Sequence, residues 1–300
     1  MTTLGIEHNF LGIESVHSNL QDSKIAIVSA PYEHTVSYGS GTARGPEAIL
    51  EASKFVEFYD DETDRELCFD VGIATMQPIS FQDAVDAGAM DVIHDSIDEL
   101  LRLNKFVVTL GGEHTISQAT IAAHLKHYPN MSVLQFDAHS DLRSSYEGSA
   151  YSHASVMARV CEIMSPRRIT QVGIRAFCKE EAEFMKVSGI NTYTMSAIQR
   201  GMYGSSWIRH VVGTLGPEVY ITFDVDGLDP ATMPATGTPE PDGLLYHEAI
   251  AVIREIRRTG RTIVGLDCVE LAPMDGLSHP NLTTARLIYK ILNLAFTNYE

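Results

Sequence analysis

The stretch FDAHSD (residues 136–141) ends an apolar segment of strand length that begins at Met131. Its three side chains that can bind a metal stand at alternate positions, namely Asp137, His139 and Asp141. In an extended chain, alternate side chains share a face and lie about 6–7 Å apart, because each residue adds about 3.3 Å. Two carboxylates and one imidazole can therefore converge on ions between them. This spacing predicts a metal site where the strand ends.

Two further apolar segments end in the same kinds of residue. The segment ITFDVD (221–226) ends in two aspartates, and FVVTLGGEH (106–114) ends in a histidine. In parallel sheets with right-handed crossovers, all carboxyl ends of the strands meet at one edge, where ligands usually bind. We therefore expect six side chains to converge there: His114, Asp137, His139, Asp141, Asp224 and Asp226.

Apolar strand patterns alternate with helical patterns along the chain, which predicts a mostly parallel sheet covered by helices on both faces. The predicted strands are 24–30, 105–110, 131–137, 168–174, 190–195, 218–224 and 261–267. The predicted helices are one from Pro46 to 56, then 81–103, 115–127, 153–164, 179–188, 205–213, 246–259 and 282–297. The charged segment 60–70 is expected to be exposed. Because no repeat or linker interrupts the pattern, residues 1–300 are expected to form a single domain.

Composition narrows the class of protein. The 300 residues contain 22 Lys and Arg against 39 Asp and Glu, a net charge of −17. Such an acidic surface disfavours nucleic acid and attracts cations. The four cysteines have no paired spacing, which indicates reduced thiols. Because residues 1–20 do not resemble a signal peptide and no apolar run approaches about 20 residues, we expect a soluble, cytoplasmic protein without membrane contact.

The six predicted ligands limit the choice of metal. Structural zinc sites favour thiolates and magnesium rarely takes imidazole, whereas mixed carboxylate and imidazole ligands suit Mn²⁺ best, with Fe, Co or Ni possible. Six ligands exceed what one ion needs, so we expect two ions about 3.5–4 Å apart, bridged by carboxylates and a water. That water can lose a proton near neutral pH, which makes it a hydroxide nucleophile. Each motif alone also occurs in surface turns; their joint occurrence favours the metal site.

Three motifs together resemble the ureohydrolase family, which contains the arginases and agmatinases: GGEH (111–114), DAHSD (137–141) and FDVDGLDP (223–230). The resemblance extends from Pro31 to the end of the chain. Residues 141–153 and 236–244 are most similar to agmatinase sequences. The resemblance implies a three-layer αβα sandwich with a mostly parallel sheet of about eight strands. It also implies a bridged dimanganese centre, hydrolysis of a guanidino group to urea and an amine, and a homotrimer or homohexamer.

The resemblance also implies a role for each site residue. His114 and Asp141 would bind one ion, His139 and Asp226 the other, and Asp137 and Asp224 would bridge. Glu270 would bind the guanidinium group, since a planar cation pairs well with a carboxylate. His153 would contact substrate and exchange protons with solvent, and Asp141 would relay a proton to the departing amine. The loops 31–45, 142–152 and 227–243 would exclude water.

The substrate expected first is agmatine, which would yield putrescine for polyamine synthesis and urea. Arg143 would repel an α-ammonium group but could pair with a substrate carboxylate. Agmatinase-like sequences often carry acidic residues beside this arginine, where this chain has Ser144 and Ser145. Guanidinobutyrate, guanidine and arginine therefore stay open as substrates.

Two other classes of function are weighed against this one. A metal-dependent amide hydrolase of similar fold would resemble a single-zinc site with a tandem histidine pair, and the sequence contains no His-His. An inactive homologue is the other alternative. The intact set of ligand residues argues against it.

Overall fold

The computed structural model describes residues 2–297. Eight parallel strands form one sheet in the order β2-β1-β3-β8-β7-β4-β5-β6. The strands are β1 (Ile25–Ala30), β2 (Ile73–Thr75), β3 (Phe106–Gly111), β4 (Ser132–Phe136), β5 (Ile169–Ile174), β6 (Asn191–Thr194), β7 (Glu218–Asp224) and β8 (Thr262–Val269).

Eleven α-helices of four residues or more lie in the described part of the chain. They are α1 (Ser15–Ser18), α2 (Gly45–Ser53), α3 (Leu67–Val71), α4 (Asp86–Arg102), α5 (Ser117–His127), α6 (Val156–Ile163), α7 (Lys179–Ser188), α8 (Met195–Gln199), α9 (Trp207–Gly213), α10 (Tyr246–Arg258) and α11 (His279–Ala295). None of the described helices is long and apolar enough to cross a membrane.

Strand β1 shows how the sheet is covered on both faces. Ile25 and Ile27 pack in the same apolar cluster as residues of α2, α10 and α11. The alternate residues Ala26 and Val28 pack in a second cluster with residues of α4 and α5. Because successive strand residues point to opposite faces, each face has its own helix layer. The predicted three-layer αβα sandwich is confirmed.

The order of the central strands creates the functional edge. β3, β8, β7 and β4 are neighbours and run parallel. Their carboxyl ends therefore lie side by side. These four ends precede the segments that contain His114, Glu270, the pair Asp224 and Asp226, and FDAHSD.

Several boundaries differ from the sequence prediction. The short strand β2 was not predicted, because three residues give too little pattern. Helix α4 begins at Asp86 rather than 81, and α11 begins at His279, with Pro280 in its first turn. The expected helix 153–164 starts with a 3₁₀ turn, so its α-helical part begins at Val156.

The expectation that the whole segment 60–70 is exposed is wrong. Asp60 is buried, and both its oxygens accept hydrogen bonds from Lys290 Nζ, at 2.9 and 2.8 Å. Leu67 and Cys68 begin helix α3 and are fully buried. The partner Lys290 lies 230 residues away in the sequence, so no local pattern could have indicated this contact.

Candidate metal centre

His114 lies at the centre of a group of carboxylates. Its Nδ1 lies 3.0 Å from Asp137 Oδ2, 3.0 Å from Asp141 Oδ2 and 3.4 Å from Asp224 Oδ2. All four side chains are buried. His114 begins a 3₁₀ turn directly after β3, which directs its ring across the ends of β4 and β7.

A second group lies beside the first. His139 Nδ1 lies 3.0 Å from Asp226 Oδ2 and 3.6 Å from Asp137 Oδ1. Asp137 therefore faces His114 with one oxygen and His139 with the other. Ligand atoms within 4.8 Å of one another define two candidate metal groups, His114–Asp137–Asp224 and Asp137–His139–Asp226. All six residues predicted to converge do so, and Asp137 belongs to both groups.

Backbone conformation and hydrogen bonds hold these carboxylates. Asp141 has a φ of 54°, in the left-handed region that residues other than glycine rarely adopt. Ala138 N–H donates to Asp226 Oδ1 at 2.9 Å, and Asp226 N–H donates to Asp224 Oδ1 at 2.8 Å. Uncommon backbone conformations persist where the surrounding structure demands them, often at functional sites.

A buried chain of hydrogen bonds fixes the ring of His114. Asp267 accepts the hydroxyl of Thr222 at 2.7 Å and that of Tyr220 at 2.6 Å. Because Thr222 gives its single proton to Asp267, its oxygen accepts from His114 Nε2, 2.9 Å away. Nδ1 of His114 is then the ring nitrogen that faces the carboxylates and is left to bind a metal. Metal-binding histidines are typically oriented through the other ring nitrogen in this way.

The charges of the candidate ligands favour the binding of cations. Nδ1 of His114 is buried without a hydrogen-bond partner, although three carboxylates lie within 3.4 Å. Burial and then the charge of Asp137 raise the pKa of Asp141 to about 7. Burial and Asp226 raise the pKa of Asp224 well above its ordinary value. Four aspartates against two imidazoles leave an excess of negative charge, which two divalent ions would offset. The residues present therefore fit a pair of metal ions.

Glu270 lies directly beside the candidate ligand His114. Its φ of 66° again lies in the left-handed region. Glu270 Oε1 accepts the backbone N–H of His114 at 2.6 Å, and the backbone N–H of Glu270 donates to the carbonyl of Gly112 at 2.8 Å. Burial and then the charge of Glu113 raise the pKa of Glu270 to about 8. A cationic group placed against this carboxyl group would favour its ionised form and pair with it. Glu270, His153 and Glu113 line one narrow cavity.

His153 lines that cavity and also a larger one. The larger cavity has a volume of about 300 Å³ and is also lined by His139, Asp141, Arg143 and Glu240. Burial lowers the pKa of His153, which favours its neutral ring. Ser37, Tyr146 and Thr238 line the same cavity, one from each of the three loops predicted to exclude water.

Arg143 is not a free cation in this cavity. Its Nε lies 3.7 Å from Glu181 Oε2, and its guanidinium group lies 5.0 Å from the centre of the Tyr146 ring. Ser144 and Ser145 are exposed, and neither lines the cavity. Ser144 and Ser145, which stand where agmatinase-like sequences often have acidic residues, therefore do not contribute to the described lining of this cavity.

Sequence reasoning gave no role to several residues that hold the site. Glu113, Thr222 and Asp267 were not recognised as supports, although all three are buried. Glu181 and Glu240 were missed as lining of the cavity. The sequence offered one indication of these roles, which was where the residues lie in the chain. Glu113 directly precedes a predicted ligand, and Asp267 lies within a predicted strand.

Comparison with known proteins agrees with this geometry. A family model described as Arginase family matches residues 23–296. The N(1)-aminopropylagmatine ureohydrolase of Synechocystis sp. is 36% identical over 289 residues, which cover 94% of this chain and 92% of that protein. The agmatinase of Bacillus cereus is 37% identical over 263 residues, covering 86% and 87% of the two chains.

A solved structure supports the same assignment. The agmatine ureohydrolase of Thermoplasma volcanium superposes with a TM-score of 0.83 at 28% identity, covering 93% of this chain and 92% of that one. The fold and the site define a ureohydrolase, a metal-dependent hydrolase. The chain belongs to the arginase family. The family resemblance predicted from the three motifs is confirmed.

Proposed function

We propose that this enzyme hydrolyses agmatine to putrescine and urea. The observation that carries the proposal is the pair of ligand groups that share Asp137 and are buried except for a partly exposed His139, beside a glutamate at the end of β8. The agmatinase and aminopropylagmatine ureohydrolase relatives support a guanidino substrate with an amine tail.

Two divalent ions would be held at the sheet edge by six residues. His114 and Asp141 would bind one ion, His139 and Asp226 the other, and Asp137 would bridge them. Asp224 is assigned the second bridge, although it belongs to only one of the two groups, the one with His114 and Asp137. When bound, the ions would supply an activated water and stabilise negative charge that develops on the substrate. The carboxylate and imidazole donors favour Mn²⁺.

The protein's own groups would position the guanidinium group and move protons. Glu270 would accept hydrogen bonds from its N–H groups, because a carboxylate matches this planar cation. Asp141 would pass a proton to the departing amine. His153, which lines both cavities, would exchange protons between the site and solvent.

The outer cavity suits an amine tail better than a carboxylate. Glu181 offsets the charge of Arg143. The carboxylate of Glu240 also lines this cavity and interacts electrostatically with Arg175, which is not among the lining residues. Glu181 and Glu240 together exceed the charge of Arg143 in the lining, so the terminal ammonium of agmatine would be attracted and the carboxylate of guanidinobutyrate repelled. Arg143 would then contact substrate through packing.

N(1)-aminopropylagmatine is a second candidate substrate. It carries the same guanidino group, and an aminopropylagmatine ureohydrolase is among the relatives that cover most of this chain. We further propose a single domain, a cytoplasmic location, a role in polyamine synthesis and a homotrimer or homohexamer.

The test is a comparison of substrates. Protein reconstituted with Mn²⁺, and separately with Ni²⁺ or Co²⁺, is incubated with agmatine, aminopropylagmatine, arginine, guanidinobutyrate and guanidine, and urea is measured. We expect the highest kcat/KM with agmatine. Highest activity with guanidinobutyrate would refute the assignment of the tail site, and no urea from any compound would refute the proposed function.

A further inference from the structure

Thr35 joins two residues that lie far apart in the sequence, Glu113 and His153. Thr35 Oγ1 lies 2.9 Å from Glu113 Oε1 and 3.2 Å from His153 Nδ1. The same oxygen accepts the backbone N–H of His153 at 3.1 Å. One threonine from the loop 31–45 thus contacts both the ring and the backbone of this histidine.

Counting protons shows which way these hydrogen bonds run. A threonine hydroxyl has one proton to donate and two lone pairs. Glu113 Oε2 already accepts the backbone N–H groups of His34 and Thr35, both at 2.7 Å, which is the behaviour of a carboxylate. Glu113 Oε1 therefore takes the Thr35 proton. The oxygen of Thr35 is left as an acceptor, so the proton between Thr35 and His153 lies on Nδ1.

We propose that Thr35, oriented by Glu113, holds the neutral ring of His153 in the Nδ1–H tautomer, so that Nε2 is the atom that exchanges protons. Thr35 and Glu113 are then positioning residues. The functional consequence rests on the role of His153 proposed above.

The surroundings of Nε2 agree with this assignment. Nε2 of His153 lies 3.3 Å from the hydroxyl of Ser37, an exposed residue that lines both cavities. In the Nδ1–H tautomer, the lone pair on Nε2 accepts a hydrogen bond from the Ser37 hydroxyl. When that hydroxyl rotates away, Nε2 can accept a proton from the substrate. Glu113 is only 1% exposed, so the support for the tautomer is shielded from water.

The same loop offers a matched control. Thr42 Oγ1 donates to Glu33 Oε2 at 3.3 Å, a second pair of threonine and glutamate that has no contact with His153. Thr42 is buried. Thr42→Val therefore removes a similar hydroxyl from the same loop, whereas Thr35→Val removes the one beside His153. Thr35→Ser keeps the hydroxyl.

The tautomer can be measured directly by NMR. Protein with ¹⁵N-labelled histidine is loaded with Zn²⁺ as a diamagnetic ion, and the ring signals of His153 are assigned by their loss in His153→Gln. We expect a protonated Nδ1 and an unprotonated Nε2 in the wild type, in Thr35→Ser and in Thr42→Val. In Thr35→Val we expect the signals to move toward those of mixed tautomers. A protonated Nε2 in the neutral wild-type ring would overturn the proposal.

Kinetics provide the second measurement. In the Mn²⁺ enzyme, Thr35→Val should lower kcat about 10- to 100-fold, because a mispositioned proton-transfer group loses part of its contribution to the rate. KM should stay within about 2-fold of the wild-type value. Thr35→Ser should restore kcat to within about 3-fold, and Thr42→Val should keep it within about 2-fold. Wild-type kcat in Thr35→Val would overturn the positioning role. If agmatine gives no urea but the tautomer shift is seen, the tautomer assignment stands and the proposed substrate falls.

Discussion

Buried carboxylates occur in two different charge environments in this protein, around Asp98 and at the carboxyl edge of the sheet. Asp98, in α4, is buried and contacts Lys126 Nζ at 2.9 Å and His127 Nε2 at 2.8 Å, as well as Arg102. The hydrogen bond from Lys126 is the main reason that its pKa is lowered to about 2. At the sheet edge, burial instead raises the pKa of Asp141 to about 7.

The difference lies in the supply of positive charge. Asp98 has cationic partners within the chain, so it forms a structural ion cluster. Among the described residues, the basic groups within ion-pair distance of the aspartates at the sheet edge are His114 and His139, so bound cations would offset the remaining negative charge. Burial of a carboxylate costs free energy unless it is paired, and a site that leaves it unpaired is a candidate for binding cations.

The largest effect is expected from Asp137→Asn. Because Asp137 belongs to both ligand groups, its loss should lower bound metal and reduce urea formation at least about 10³-fold. Elemental analysis and a urea assay measure the two quantities. The matched variant Asp98→Asn should lower the melting temperature but keep both metal content and activity. Full activity in Asp137→Asn would refute its bridging role.

Glu270→Gln should separate substrate binding from metal binding. Losing hydrogen bonds to a charged group costs about 1.5–3 kcal/mol, so kcat/KM for agmatine should fall about 10- to 100-fold. The metal content should stay at the wild-type value, because Glu270 belongs to neither ligand group. An unchanged kcat/KM would contradict the proposed role of this glutamate.

Lys290→Met tests a second balanced cluster, in which Lys290 pairs with Asp60 and Glu62. Removing the cation leaves buried Asp60 without its ionic partner, at a cost of about 2 kcal/mol. The melting temperature should fall by several degrees, measured by calorimetry. Metal content should not change. A melting temperature equal to that of the wild type would show that Asp60 needs no cation.

The smallest expected effect is the loss of the stability that Glu62 contributes when the pH is lowered. Arg254, and then Lys290, lower the pKa of Glu62 from 4.5 to about 2. Because the folded pKa is below the unfolded one, this stabilisation is complete above about pH 4.5 and is lost as the pH falls toward 2. The partly exposed pair should contribute less than about 1 kcal/mol.

Glu62→Gln should therefore show a smaller drop in melting temperature than the wild type when the pH is lowered from about 6 to about 3. Equal drops in the two proteins would contradict this role.

The sequence predicted the parts of the molecule that follow repeating rules. Alternation of strands and helices predicted the sheet, and parallel strands bring Asp137 and Asp224 to one edge. The pairing of His114 with carboxylates from β4 and β7 followed from that rule. The candidate ligands could be named from the sequence because few residue types bind these metals.

Contacts made across long separations could not be predicted. Thr35 meets His153 over 118 residues, and Asp60 meets Lys290 over 230. The left-handed backbone of Asp141 also leaves no signal, since aspartate adopts many conformations. These features depend on how loops pack, and loops carry no periodic pattern.

The central claim is that the carboxylates at the sheet edge hold two divalent ions that activate water. The most direct measurement is elemental analysis of protein reconstituted with Mn²⁺ and freed of excess metal, paired with a urea assay on the same sample. We expect about two Mn²⁺ per chain, with metal and urea formation lost together on chelation. Urea formation at the full rate by protein that holds no transition metal would contradict the account.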